Sequence, residues 1–176
     1  MGKISKIFLM MIFMLSAIPA WNAYAYDTTD AQDASEKFIK KASISSLYEI
    51  ESSKVALDKS KNPEVKKIAN KLIDDHTAAN KKLKEILTKE KLRFPMNLTL
   101  DEDHQEKVEE LKEASESDFD KEYLDLMLEA HKNAIELFED FSNADGTHKS
   151  LKNYAENTLP KLKNHLEKIK SVKDQL

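Results

Sequence analysis

The sequence has no cysteine and only two glycines and four prolines among 176 residues. Without thiols the chain cannot form disulfide bonds or cysteine-ligated metal sites, and it lacks the acceptor for bacterial lipid attachment. Apart from Gly2, the only glycine is Gly146, so a glycine-rich phosphate-binding loop is excluded as well. The folded protein therefore depends on its core alone.

Positive charge is not concentrated anywhere in the chain. The formal net charge is −4, and lysines alternate with acidic residues along most segments. Nucleic-acid binding needs clustered positive charge, so this balance argues against a nucleic-acid partner. No segment identifies a protein partner.

The N-terminus has the three parts of a secretory signal peptide: Lys3 and Lys6, an apolar run over residues 7–20, and an Ala-Tyr-Ala triplet that ends at Ala25. The apolar run is shorter than the roughly 20 residues of a membrane span. We therefore expect cleavage after Ala25, no transmembrane segment after cleavage, and a periplasmic or secreted location. An uncleaved membrane anchor is the alternative.

The remaining chain is rich in Ala, Leu, Lys and Glu, and apolar residues recur in it with the 3.6-residue period of an α-helix. Capping residues and prolines indicate where helices begin and end. The predicted long helices cover residues 33–60 with a capping box at Asp33–Glu36, 62–92 starting at Asn62-Pro63, 118–141, and a last segment capped by Thr147. A shorter helix is capped within Thr99-Leu100-Asp101-Glu102 and ends near residue 116.

This pattern predicts an all-α fold in which two helical hairpins form a four-helix bundle. The longer connection between the hairpins contains the short extra helix. The predicted organisation is a signal peptide at residues 1–25, a short tail at 26–32 and one domain at 33–176. Pro160 lies inside the last helix, where we expect a kink.

Each of the four long helices carries one polar residue of metal-ligand type in its apolar row. Carboxylate and imidazole groups together form a ligand set for zinc or iron, and bundle cores are a usual place for such sites. The sequence therefore predicts that the core binds one transition metal ion, Fe or Zn. The candidate ligands are Glu49, His76, His131 and His165.

The depth of these residues follows from counting along each hairpin. Glu49 and His76 lie about 13 and 14 residues from a turn at residues 61–62, which places them in one layer. His131 lies about 15 residues before Gly146 but His165 about 19 after it, a mismatch of roughly one 5.4 Å turn. His165 is therefore the least secure ligand. Asp75, about 100° of rotation from His76, is expected at the edge of the core or in solvent.

Two alternatives to a metal site are open. The same residues can form a buried hydrogen-bonded cluster in a structural or interaction module of the cell envelope, since paired buried charges are often retained without chemistry. The other alternative is an enzyme that uses the site for redox chemistry.

A set of short motifs occurs in a specific order along the chain. This order resembles the bacterial domain of unknown function 4142 and extends from about residue 34 to 169. The resemblance implies an exported, ferritin-like four-helix protein, and it implies no established activity, so no catalytic residues follow from it. The motifs are Asp75-His76, Phe119-Asp120-Lys121-Glu122-Tyr123, His131, and Leu159-Pro160-Lys161-Leu162 with His165.

The comparison with ferritins excludes a conventional di-iron centre. Such centres use Glu-x-x-His on two helices. The residues three before the core histidines are Ile73, Leu128 and Leu162. Any metal site in this chain therefore holds a single ion.

Overall fold

The computed structural model describes residues 23–176, with side chains from residue 31 onward. Every regular element in this part of the chain is helical, which confirms the predicted all-α class. The predicted signal peptide lies outside the described residues except for its last three. The helices are α1 (Ala23–Lys59), α2 (Pro63–Lys89), α3 (Glu102–Glu113), α4 (Phe119–Asn143) and α5 (Lys149–Lys173).

The start of α1 differs from its prediction. The helix begins at Ala23 and so includes residues 26–32, which were predicted as a tail. The predicted capping box is also wrong, because the Ser35 hydroxyl donates to the Ala31 carbonyl at 2.8 Å within the helix. No glycine or proline lies between Ala23 and Lys59, so nothing in the sequence interrupts the helix there.

The predicted start of α2 is confirmed. The Asn62 side chain accepts a hydrogen bond from the Glu64 amide at 2.9 Å, and Pro63 occupies the first helical position. α3 is capped by Asp101, which lies within the predicted capping segment and accepts from the His104 amide at 3.0 Å. Local capping signals thus place the starts of α2 and α3 to within a few residues.

The predicted cap of α5 is wrong. The Thr147 hydroxyl donates backwards to the Ala144 carbonyl at 3.3 Å, and α5 starts only at Lys149. Pro160 lies within the helix, which continues through it to Lys173. A proline costs one backbone hydrogen bond but does not end a helix that is packed along its length.

Helices α1 and α2 pack together, as do α4 and α5, and the two pairs meet through α1 with α4 and α2 with α5. The core consists of two apolar clusters. One contains Leu72 and Tyr123, and the other contains Phe38 and Leu162. Each fully buried large apolar side chain contributes roughly 1.5–3 kcal/mol, so two such clusters can stabilise a chain that has no disulfides.

The two apolar clusters lie at successive levels of the helices. On α2, α4 and α5, the residues between the two levels include a buried histidine, and Glu49 of α1 lies at the same boundary. We call these four residues the polar layer. Within residues 23–176, none of the helices combines the length and the apolarity that a membrane crossing requires.

Candidate metal centre

The four residues predicted from the sequence meet in the polar layer. Glu49 and His131 are fully buried, and His165 and His76 are 1% and 4% exposed. The centroids of the three imidazole rings are 5.4–5.6 Å apart, so the rings form a nearly equilateral triangle. In the described part of the chain, their nitrogens form one group in which each histidine offers an atom within 4.8 Å of the others.

Glu49 and His76 face each other without a proper hydrogen bond. Glu49 Oε2 lies 2.9 Å from His76 Nε2, yet neither atom has a hydrogen-bond partner of acceptable geometry, and both are buried. The other carboxylate oxygen, Oε1, accepts from the Ser45 hydroxyl at 3.0 Å. Buried polar atoms without partners are rare and costly. Two of them at close range mark a place where a cation would be stabilised.

His131 is oriented by the backbone of its own helix. Its Nδ1 lies 2.9 Å from the Met127 carbonyl oxygen and 3.1 Å from Glu49 Oε2. Both oxygens only accept hydrogen bonds, so Nδ1 carries the proton of the ring. The lone pair of His131 is therefore on Nε2.

His165 is oriented by Asp75, and its inner nitrogen faces His131. Its Nε2 donates to Asp75 Oδ2 at 2.7 Å, which places the lone pair on Nδ1. That Nδ1 lies 3.3 Å from His131 Nε2. Two lone pairs therefore point at each other unless a proton or another cation lies between them.

Burial disfavours the protonated form of both rings. It lowers the pKa of His131 although Glu49 opposes the shift, and it lowers the pKa of His165 to about 4 although Asp75 opposes it. Burial also disfavours ionisation of Glu49, but His131, His76 and Ser45 outweigh burial and hold the pKa of the carboxyl below its ordinary value. At neutral pH the layer thus contains a carboxylate and lone pairs that no proton bridges.

Asp75 lies at the edge of the core, as the sequence predicted, and it also contacts the site. Its carboxylate accepts from His165, from Lys71 at 2.6 Å and from Lys161 at 3.0 Å. Burial raises its pKa, but the bonds from Lys71, Lys161 and His165 outweigh burial and keep the pKa well below its usual range. Its side chain is 11% exposed, so it closes the outer side of the polar layer.

The mismatch expected for His165 disappears because of the direction of side chains on a helix. Each Cα–Cβ bond tilts toward the N-terminus of its helix. In the α4–α5 hairpin, His131 therefore points away from the turn, whereas His165 points back toward it. Counting residues from Gly146 ignored this tilt, which brings the two side chains to the same level.

The metal-free protein should lose stability as the pH falls from about 6.5 toward 4. In this window the unfolded chain binds a proton at His165, whose ordinary pKa is about 6.5, while the folded chain does not, so stability rises with pH. The loss at the acidic end should reach roughly 2–3 kcal/mol. Urea denaturation in the presence of a chelator measures it. His165→Gln should flatten the pH profile and His104→Gln should not, and equal profiles for His165→Gln and the native protein would contradict this assignment.

The all-helical fold and the buried His/Glu cluster place the chain among helical proteins that have a polar layer inside the core. The chain belongs to the family described as "Domain of unknown function (DUF4142)", whose model matches residues 22–172. The family resemblance drawn from the motifs is therefore confirmed. A search of curated proteins found no match.

A solved structure supports the same fold. The chain is similar to a crystal structure of a DUF305 fragment from Deinococcus radiodurans, with a TM-score of 0.71 and 12% sequence identity. The similarity covers 81% of this chain and 97% of that one. At this identity the likeness establishes a common helical fold and carries no information on binding or activity.

Proposed function

We propose that this protein is an exported, ferritin-like four-helix protein that binds one transition metal ion through Glu49, His76, His131 and His165. The pairing of α1 with α2 and of α4 with α5, with α3 in the connection, supports the four-helix assignment. Export, cleavage after Ala25 and a single domain at residues 33–176 rest on the sequence pattern alone. No catalytic residue and no enzyme activity are assigned.

The arrangement of two donor pairs carries this proposal. Glu49 Oε2 and His76 Nε2 are 2.9 Å apart, and His131 Nε2 and His165 Nδ1 are 3.3 Å apart. Two donors on one tetrahedral ion with bonds of 2.0–2.1 Å are separated by about 3.3 Å. The His131–His165 separation matches this value, and the three histidines each offer a donor atom within 4.8 Å of the others, whereas 2.9 Å between Glu49 and His76 is also an ordinary hydrogen-bond distance.

The outer contacts of the rings also suit metal ligands. Histidine ligands usually donate their second nitrogen to a carboxylate or a backbone carbonyl, which fixes the tautomer. His165 donates to Asp75, and His131 donates to the Met127 carbonyl. Three imidazoles and one carboxylate are suited to Zn²⁺ or Fe²⁺. When bound, such an ion supplies a Lewis acid in the core.

Metal titration of the full chain tests the proposal. Protein purified without a polyhistidine tag and stripped with a chelator should bind one equivalent of Co²⁺, with the visible absorption bands of a low-coordinate cobalt site. Zn²⁺ and Fe²⁺ should compete with Co²⁺ and raise the melting temperature. Binding only to the folded state adds about 4 kcal/mol at 1,000 times the Kd. Absence of metal from the untreated protein, with no cobalt bands and no change in melting, would refute the proposal.

A structural or interaction module of the cell envelope is the second candidate. It is favoured by the chain of hydrogen-bonding groups that runs from Asp75 through His165 and His131 to the Met127 carbonyl. One additional proton between the two rings completes that chain without a metal. Under this reading the titration shows no uptake.

Asp75→Asn should weaken metal binding by about 10- to 100-fold, the usual effect of losing an outer-shell carboxylate. The amide keeps the volume but not the charge that orients His165 and strengthens it as a donor. Asp74→Asn is the matched control, because Asp74 is the exposed neighbour on the same helix and loses the same charge. Competition against a chromophoric chelator measures both affinities, and equal affinities would show that Asp75 does not act through His165.

A further inference from the structure

A small cavity lies beside the polar layer. Its volume is about 20 Å³, and the rings of His76 and His165 form part of its wall together with Ala42, Ala79 and Ala134. A cavity of about 10–15 Å³ is enough for one water molecule. The space therefore accommodates a single molecule of about that size in contact with two of the proposed ligands.

The cavity adjoins a groove on the surface. A groove of about 450 Å³ runs between α2 and α5, and part of its wall is also the wall of the cavity. The shared residues lie between the outer groove and the polar layer, so they line a route from solvent toward the site. They are Asp75, Ala79, Tyr154, Thr158 and Lys161.

The charges along this route favour a small anion or water. The Lys161 ammonium lies 3.0 Å from Asp75 Oδ1, and its side chain, which lines the groove, is 49% exposed. The Asp75 charge is itself compensated by Lys71, Lys161 and His165. A divalent ion bound by three neutral imidazoles and one carboxylate retains a positive charge, which also attracts anions.

We propose that the metal centre takes one small exogenous ligand, water or a small anion, as a fifth ligand beside its four protein donors, and that this ligand enters between α2 and α5 past Lys161. This inference rests on the proposed metal binding and extends it. A metal site with four ligands can expand to a fifth position when an exogenous group binds. The cavity against His76 and His165 supplies that position, and its size excludes larger substrates.

Azide binding to the cobalt-loaded protein tests the inference. Sodium azide should shift the cobalt absorption bands of the native protein in a saturable manner. Ala79→Leu places a larger side chain in the shared wall, so it should retain the cobalt bands and lose at least tenfold in azide affinity. Ala78→Leu is the matched control, since Ala78 lines the groove but not the cavity, and it should respond as the native protein does.

Lys161→Met is a second variant, and unlike Ala79→Leu it adds no larger side chain to the wall of the cavity. Because Lys161 also bonds Asp75, cobalt affinity is titrated first and azide binding is compared at full cobalt loading. Removal of the ammonium should then weaken azide binding severalfold, and this holds the inference open to refutation even if Ala79→Leu does not fold. Native protein without cobalt bands would refute the metal site itself. Cobalt bands that do not respond to azide would leave the metal site standing and overturn the fifth position. An unchanged azide response in both Ala79→Leu and Lys161→Met would overturn the route and the cavity as the place of binding.

Discussion

His131→Ala should abolish metal binding, with a loss of affinity greater than about 100-fold. Loss of an outer partner alone costs about 10- to 100-fold, and removal of a ligand costs more. His131 is fully buried, and its Nε2 is adjacent to His165 Nδ1 while Nδ1 contacts Glu49. The alanine variant therefore removes a donor from the centre of the layer and leaves a space that no neighbouring group can fill.

The measurement is a cobalt titration of the stripped variant, with circular dichroism to verify that it folds. His131→Gln keeps most of the side-chain volume, so it separates loss of the donor from loss of packing. His104→Ala is the control, because that histidine lies on α3 and bonds Asp101 at the surface. Uptake of one equivalent by either His131 variant with native affinity would remove this residue from the ligand set.

His76→Leu should destabilise the metal-free protein by about 1–3 kcal/mol, because it removes the polar group that lies 2.9 Å from the buried Glu49 Oε2. The variant leaves the Glu49 carboxylate in the core with less compensation. The double variant Glu49→Gln, His76→Leu contains no buried charge at that place, so it should recover most of the lost stability. Both variants should fail to bind metal, because each lacks at least one donor.

Urea denaturation in the presence of a chelator measures the cycle of the two single variants and the double variant. A favourable coupling of at least about 1 kcal/mol between the two positions is expected for residues in direct contact. Additive effects would mean that Glu49 and His76 do not interact across their 2.9 Å separation. Native metal uptake by the double variant would contradict the proposed ligand set.

Much of the fold could be predicted because the apolar period decides which face of each helix is buried. That period placed Glu49, His76, His131 and His165 on inward faces, and all four are buried together. Local capping was less informative. Ser35 and Thr147 are residue types that often cap helices, but each hydroxyl donates to the carbonyl of a residue that precedes it in the sequence. Ser and Thr side chains can bond backbone groups that precede or follow them, so residue type alone does not show whether they cap a helix.

The part of the site that could not be predicted lies between helices. Asp75 bonds His165, 90 residues away, across the contact between α2 and α5. A single sequence gives the angle of Asp75 relative to His76 but not the position of the neighbouring helix. The contact of His165 with His131 could not be predicted either, because it depends on the tilt of the side chains along each helix. Counting residues from the turn does not include that tilt.

The polar layer also has a consequence for the order of folding. Its members belong to two hairpins, α1–α2 and α4–α5, and the contacts within each hairpin join residues that are closer in sequence than the contacts between the hairpins. Local contacts form early, whereas contacts at long sequence separation form late. The layer is complete only after the hairpins dock, so an ion bound there should slow their separation and leave the rate of hairpin formation unchanged.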